Sequence, residues 1–120
     1  METKWVSTVP VLPSADLTRD IAWYLAQTGF ECIYQEVGYA VLHRENLNLH
    51  LQWHADTVAD PLLGGSVVKI FIRGIAPLFE EFVKRGTVQD TALNRNTPWN
   101  THEFGFYDLN SNALFFVESL

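Results

Sequence analysis

The order of predicted helices and strands repeats once along the chain, with a half-period of about sixty residues. In each half a strand rich in β-branched residues precedes an amphipathic helix, a glycine follows the helix, and further strands come after it. The residue identities do not repeat, and so long a period is typical of a duplicated unit rather than a solenoid. The sequence therefore predicts one α+β domain of two βαβββ modules, 5–54 and 66–119, joined by the loop 55–65.

The first module is predicted to contain an apolar strand, one helix and three further strands. The first strand contains Pro10 and is followed by Pro13. Because proline cannot donate to a central ladder, this strand is predicted to lie at a sheet edge or to exchange with a partner. Asp16 can cap the helix that follows, and Gly29 can end it. The predicted ranges, in order, are Trp5–Leu12, Leu17–Gln27, Phe30–Glu36, Tyr39–Arg44 and Leu47–His54.

The second module is predicted to follow the same order and to close with an aromatic hairpin. Its helix carries apolar residues along one stripe and is followed by Gly86. The segment 109–112 contains two asparagines, which suit the turn of a hairpin. The predicted ranges are Ser66–Ile72, Ile75–Lys84, Thr87–Leu93, Thr101–Asp108 and Asn112–Glu118.

Alternation along two predicted strands leaves one face of each sheet without a helix to cover it. In Leu47–His54 the leucines share the face predicted to pack on the helix, and the opposite face carries His50 and Gln52. In the last hairpin the uncovered face carries Glu103, and Trp99 lies in the loop before it. Uncovered faces must be buried or line a ligand, so the sequence predicts two mixed sheets curled around a cleft.

Charge and composition exclude several classes of partner. The net charge is −6, from 14 acidic and 8 basic residues, and such a field repels nucleic acid and favours a cationic ligand. No apolar run is long enough to span a membrane, and the first residues lack a signal-peptide core. Cys32 is the one cysteine, as is typical of the reducing cytoplasm. A cytoplasmic protein with no nucleic-acid or membrane partner is predicted.

The polar residues of the chain match no catalytic motif. There is no phosphate-binding glycine loop and no nucleophile elbow, and no two carboxylates have a spacing that indicates a general acid/base pair. His50, Gln52 and His54 alternate on one strand face about 6.6 Å apart, too far for all three to hold one ion. The sequence therefore predicts a polar cleft lining with no catalytic residue, no cofactor and no metal.

Several short motifs, taken together, resemble a known superfamily. They are the Val9–Leu17 segment, Tyr24, Gly29-Phe30, Trp99, Glu103–Asp108 and Asn112. In this order and at these distances they resemble the glyoxalase/bleomycin-resistance/dioxygenase (vicinal oxygen chelate) superfamily, and within it the bleomycin-resistance, or drug-binding, proteins. The resemblance covers nearly the whole chain. It implies two βαβββ modules and a homodimer with grooves at the subunit interface, often with exchange of the N-terminal strand.

Metal-dependent members of that superfamily carry their ligands on the first and last strands of each module. The matching positions here are Val9, His50, Val67 and Phe115, and three of these four cannot bind a metal. The resemblance therefore implies a metal-independent binder of a bleomycin-type cationic glycopeptide antibiotic, and not an enzyme. Two alternatives stay open: a metal-dependent lyase, isomerase or dioxygenase that uses His50 with Glu103, and an interaction module with a vestigial cleft.

The same resemblance assigns ligand contacts by position. Trp99 and Tyr39 would stack on the flat rings of the ligand, and Phe30 would lie near the groove floor. The polar contacts would come from the uncovered strand faces, through His50, Gln52 and Glu103.

Overall fold

The computed structural model describes residues 1–120 and contains two helices and seven strands. None of its helices has the length and apolar character needed to cross a membrane. The elements in chain order are β1 (Val11–Ser14), α1 (Leu17–Thr28), β2 (Glu31–Glu36), β3 (Tyr39–Arg44), β4 (Leu47–Trp53), β5 (Val67–Phe71), α2 (Ile75–Arg85), β6 (Thr101–Tyr107) and β7 (Ala113–Ser119).

The strands form two small mixed sheets, which confirms the predicted α+β fold. The first sheet has the order β1-β4-β3-β2, and the second has the order β5-β7-β6. In each sheet the strand before the helix pairs in parallel with the last strand of its module. Val11 lies opposite His50 in the first sheet, and Lys69 lies opposite Phe115 in the second. β1 is an edge strand, as its prolines predict.

The ends of α1 follow the sequence prediction. The Asp16 side chain accepts a hydrogen bond from the Arg19 backbone N–H, and Gly29 follows the helix with φ of 74°. That left-handed conformation is one that glycine adopts without steric cost. The start of α2 has no side-chain cap of its own, because Gly74 stands at that position. The Glu118 side chain of β7 acts as the cap instead, and it accepts a hydrogen bond from the Gly74 N–H at 2.5 Å.

Both helices and the inner faces of both sheets share one hydrophobic core. Fourteen buried residues from the two modules form a continuous cluster. Leu49 and Leu51 are buried in it, as the alternation of β4 predicts. In the second module the rings of Phe82, Phe104 and Phe116 pack within 5.6 Å of one another, measured between centroids. Each helix packs on the sheet of its own module and the two helices contact each other, so one core spans both modules.

A buried polar network also joins the modules at the β6–β7 turn. Asp108 accepts hydrogen bonds from the Tyr24 hydroxyl at 2.6 Å and from the Asn112 side chain at 2.9 Å. Asn110 donates to Asp20 of α1 at 2.6 Å. Burial first, and the neighbouring Asp108 carboxylate second, raise the pKa of the Tyr24 phenol, so this hydroxyl stays a donor.

The predicted strand Trp5–Leu12 is wrong, because regular pairing begins only at Val11. Residues 1–10 form no strand, and Trp5 is 96% exposed. Pro10 still accepts a hydrogen bond from the His50 N–H through its carbonyl. It has no N–H to return, and the residues before it have no partner strand within this chain.

The predicted strand Thr87–Leu93 is also wrong, so the second sheet has three strands instead of four. The segment turns on itself, since the Ala92 N–H donates to the Gln89 carbonyl. The Thr87 hydroxyl bonds the Gln27 carbonyl at the end of α1, which holds the segment beside the helices. Only an isolated bridge between Asn94 and Glu103 pairs with β6.

Candidate functional site

Residues that point away from the helices form two outer sheet faces, one in each module. On the first sheet these residues alternate with buried ones such as Leu42 and Leu49. We call this set the first outer face: Val11, Pro13, Glu31, Tyr34, Glu36, Tyr39, Val41, His43, Asn48, His50 and Gln52. The second outer face is the equivalent set on the other sheet: Val67, Lys69, Phe71, Glu103, Gly105, Tyr107, Ala113, Phe115 and Val117.

The first outer face is polar and contains no lysine or arginine. The Tyr39 hydroxyl and Nδ1 of His50 lie 2.6 Å apart and share a hydrogen bond. On the edge strand β2, the Tyr34 hydroxyl donates to Glu36 at 2.8 Å. That hydrogen bond raises the pKa of the Tyr34 phenol, and the Glu36 charge adds to the effect. With Glu31 and Glu36 as its charged residues, this face is suited to a cation.

The second outer face is more aromatic, and Trp99 lies beside it. The Trp99 indole N–H donates to Oε2 of Glu103 at 3.1 Å, and the Thr101 hydroxyl donates to the same oxygen at 2.9 Å. These contacts hold the indole beside the carboxylate while Trp99 stays 62% exposed. The hydrogen bonds of Glu103 use one oxygen, so its other oxygen is available to a ligand.

At the centre of the second outer face, the ring of Phe115 leans across Gly105, its cross-strand partner. A Cβ atom at Gly105 would come within 2.6 Å of the ring carbon Cε1 and within 2.9 Å of the Leu114 carbonyl oxygen. Real Cβ atoms do not approach other atoms so closely. Glycine is therefore required for the observed position of the ring.

Within one chain, the two outer faces share only a cavity of about 330 Å³ at their edges, lined by Asn48, Lys69 and Phe71 beside residues 7–10. No hydrogen bond joins a side chain of one face to a side chain of the other. The modules meet instead at their helices, since α1 contacts α2. Beside this contact, Arg44 at the end of β3 donates to both oxygens of Glu81 on α2, at 2.7 and 2.8 Å. Since both inner faces pack on the shared core, both outer faces point away from it.

Comparisons with known proteins agree with this architecture. A bleomycin resistance protein of Geobacillus stearothermophilus is 23% identical over 96% of this chain and 98% of its own length. The bleomycin-binding protein of bleomycin-producing Streptomyces verticillus, solved with copper(II)-bleomycin, superposes with a TM-score of 0.78. It is 20% identical, and the match covers 99% of this chain and all of that one. The chain has the glyoxalase/bleomycin-resistance/dioxygenase fold.

The glyoxalase/bleomycin-resistance fold carries more than one activity. A Nocardioides protein described as a glyoxalase/bleomycin resistance protein/dioxygenase superposes with a TM-score of 0.76. It is 18% identical, and the match covers 100% of this chain and 87% of that one. No protein-family model matches the chain. Because binders and enzymes share this fold, function has to be argued from the two outer faces.

Four of the six predicted ligand contacts lie on the outer faces, and Trp99 lies beside the second one. Tyr39, His50 and Gln52 are neighbours on the first outer face, where Tyr39 lies opposite Gln52. Glu103 belongs to the second outer face and holds Trp99 beside it.

Phe30, the sixth predicted contact, lies apart from the other five. It is 2% exposed and belongs to the core. It borders a cavity of about 400 Å³ between the β3–β4 turn and the start of α2. The polar groups of that cavity include Arg44, already bonded to Glu81, and the Gly74 N–H, already bonded to Glu118.

Sequence reasoning missed other residues of the outer faces. Tyr34 and Tyr107 are 53% and 71% exposed, and both were visible as aromatic residues in alternating strands. The contact between Phe115 and Gly105 depends on the register of two strands, so no local pattern reveals it. His54, predicted on the polar face, lies beyond the end of β4 and bonds Asp60 at 2.7 Å, which lowers the pKa of that carboxyl.

The register shows which residues lie opposite His50 and Phe115, two positions at which metal-dependent relatives were expected to carry ligands. Val11, and not Val9, lies opposite His50, and Lys69, and not Val67, lies opposite Phe115. Among the residues that the register places there, only His50 has metal-ligand chemistry, and Lys69 adds a positive charge. No group of three or more His, Cys, Asp or Glu side chains lies close enough to hold a metal ion. The residues present do not fit a metal.

Proposed function

We propose that this protein binds and sequesters a bleomycin-type cationic glycopeptide antibiotic without a metal cofactor and without changing it chemically. The observation that carries the proposal is the pairing of the exposed Trp99 indole with the Glu103 carboxylate at the edge of an aromatic sheet face. A flat, cationic ligand can stack on the indole and meet the carboxylate at the same time. The relatives named for bleomycin binding or resistance support this ligand class.

Several such contacts have to act together. Stacking on one aromatic ring contributes about 0.5–1.5 kcal/mol beyond area burial, whereas micromolar affinity corresponds to about −8 kcal/mol. The acidic first outer face supplies further attraction through Glu31 and Glu36, and the net charge of −6 favours the approach of a cation. Tyr39, His50 and Gln52 add aromatic and hydrogen-bonding surface.

We further propose that the groove forms between two copies of the chain, in a cytoplasmic homodimer. The outer faces point away from the shared core, so the first outer face of one copy can oppose the second outer face of its partner. Residues 1–10 find no strand partner in their own chain, and Trp5 and Val6 are 96% and 92% exposed. Exchange of this segment with a partner would bury both side chains.

Calorimetric titration with metal-free bleomycin, in buffer containing EDTA, tests the proposal. We expect saturable binding with one site per chain and a dissociation constant of about 1 μM or below. The variant Trp99→Ala should bind at least about tenfold more weakly, because it loses a stacking surface and the indole that orients Glu103. The matched variant Trp53→Ala removes an indole that bonds the Ala15 carbonyl instead, and it should leave the affinity unchanged.

Two outcomes would count against this function. Absence of saturable heat at tens of micromolar drug would exclude a sequestering role. A parallel titration without EDTA is the comparison, and binding of metal-free bleomycin that is seen there but is lost in EDTA would contradict the metal-independent mechanism.

A further inference from the structure

The cavity of about 400 Å³ beside Phe30 lies between the two modules. Its walls come from the β3–β4 turn of the first module and from the end of β5 and the start of α2 in the second. Phe71 is the one lining residue that also belongs to an outer face. Pockets that bind small molecules measure about 300–1,000 Å³. The cavity is therefore large enough for a small ligand and separate from the surfaces proposed for the antibiotic.

Most of the residues that line this cavity are apolar. Phe30, Ile70 and Phe116 are no more than 6% exposed and belong to the hydrophobic core. Leu47 and Phe71 are 38% and 65% exposed, so the other side of the cavity opens to solvent. A buried apolar floor below an open mouth is suited to a ligand with an apolar body.

The charged residues of the lining are Arg44, Arg73 and Glu45. Arg44 donates to both carboxylate oxygens of Glu81, so its charge is already balanced. Arg73 is exposed and takes part in none of the ion pairs of the chain, and Glu45 is not in contact with either arginine. The guanidinium of Arg73 is thus the charged donor that remains for a ligand, and its planar fork of N–H groups matches a carboxylate.

We propose that this cavity is a second ligand site, which takes a small carboxylic acid with an apolar body and binds its carboxylate through Arg73. The apolar body fills the space beside Phe30, and the carboxylate meets the guanidinium at the mouth. The same guanidinium repels a cation, so this site and the proposed antibiotic groove select ligands of opposite charge. Because the ligand contacts both modules, its binding stabilises the folded chain.

Calorimetric titration of the intact chain with decanoate tests the site, and decylamine, which is cationic at neutral pH, is the comparison ligand with the same alkyl chain. We expect saturable binding of decanoate at one site per chain and a raised thermal unfolding midpoint. Decylamine should bind at least about tenfold more weakly. General attraction to a chain of net charge −6 would give the opposite order. Equal or tighter binding of decylamine would overturn the proposal.

Two variants locate the binding. Arg73→Gln should weaken decanoate about 3- to 10-fold, because it removes a charged hydrogen-bond donor. Arg95→Gln is the matched control, since Arg95 is also exposed and without an ion pair but does not line the cavity, and it should leave the affinity unchanged. Leu78→Trp enlarges a side chain of the cavity wall and should reduce binding further.

The outcomes separate this site from the proposed function. Unchanged decanoate affinity in Arg73→Gln would overturn the second site, as would displacement of decanoate by bleomycin. If Leu78→Trp does not fold, Arg73→Gln alone decides, since an exposed side chain can be replaced with little effect on stability. A chain that binds decanoate in this way and does not bind bleomycin keeps the second site and loses the antibiotic-binding function.

Discussion

The two modules share an order of elements and a pairing scheme but present different outer faces. His50 lies opposite Val11 in the first module, and Phe115 lies opposite Lys69 at the same place in the second. One face is polar and acidic, and the other is aromatic with one charge of each sign from Lys69 and Glu103. A duplicated backbone thus fixes where the paired positions lie, and the side chains at a few of them decide what each face can bind.

The modules also differ in the contacts that the turn between their last two strands makes with the rest of the molecule. The β6–β7 turn carries the buried network around Asp108 and Asn110, which ties it to α1. The equivalent β3–β4 turn, Glu45-Asn46, is exposed, and a cavity of about 400 Å³ separates it from the start of α2. The difference indicates that stability depends more on the second turn than on the first.

Replacing Asp108 should have the largest effect on stability. The variant Asp108→Ala leaves the buried Tyr24 hydroxyl and the backbone N–H groups of Asn110 and Asn112 without their acceptor. Buried polar groups without partners are costly, and we expect a loss of about 3 kcal/mol in the free energy of unfolding, measured in urea. Glu45→Ala, in the equivalent turn of the first module, should change it by less than about 0.5 kcal/mol. Equal effects of the two substitutions would remove the distinction between the turns.

Removing the ion pair between Arg44 and Glu81, which joins the two modules, should have a smaller effect on the free energy of unfolding. Hydrogen bonds from Arg44 lower the pKa of Glu81 in the folded state, with a further contribution from Arg85. The unfolded state therefore binds more protons, so the stabilisation is present above about pH 5 and is lost as the pH falls through the lowered folded pKa. Glu81→Gln should cost about 1 kcal/mol at neutral pH and nothing in acid.

Urea unfolding of Glu81→Gln from pH 7 down into the acid range measures that dependence. Glu80→Gln is the matched control, since Glu80 is exposed on the same helix and has no ion pair. A Glu81→Gln effect that stays constant as the pH falls would show that the carboxylate charge does not contribute.

Local sequence signals were sufficient for most of the fold. Asp16 and Gly29 mark the two ends of α1 through contacts within a few residues. The alternation of β4 places Leu49 and His50 on opposite faces of the sheet. The failures came from partners distant in sequence. Thr87–Leu93 has a strand-like composition, but Thr87 bonds the end of α1 instead of a neighbouring strand. Val9 and the residues before it have the composition of a strand and no partner in their own chain.

The candidate site likewise combines contacts between residues close in sequence, which the sequence can predict, with contacts between distant residues, which it cannot. Trp99 and Glu103 are four residues apart, so their proximity could be predicted from the sequence alone. The Phe115–Gly105 contact required the strand register, and the burial of Phe30 required the packing of both modules around one core. Distant pairings of this kind are set by the whole fold rather than by any short segment.

In the homodimer that we propose, the groove combines the first outer face of one copy with the second outer face of its partner. Co-expressing two differently tagged variants tests it: one carries Tyr39→Ala and His50→Ala, and the other carries Trp99→Ala and Glu103→Ala. Each variant alone should bind bleomycin weakly. Random pairing in a dimer rebuilds one intact groove per mixed dimer, so the mixture should recover about a quarter of the wild-type high-affinity sites. A mixture that binds no better than either variant alone would contradict a groove shared between two chains.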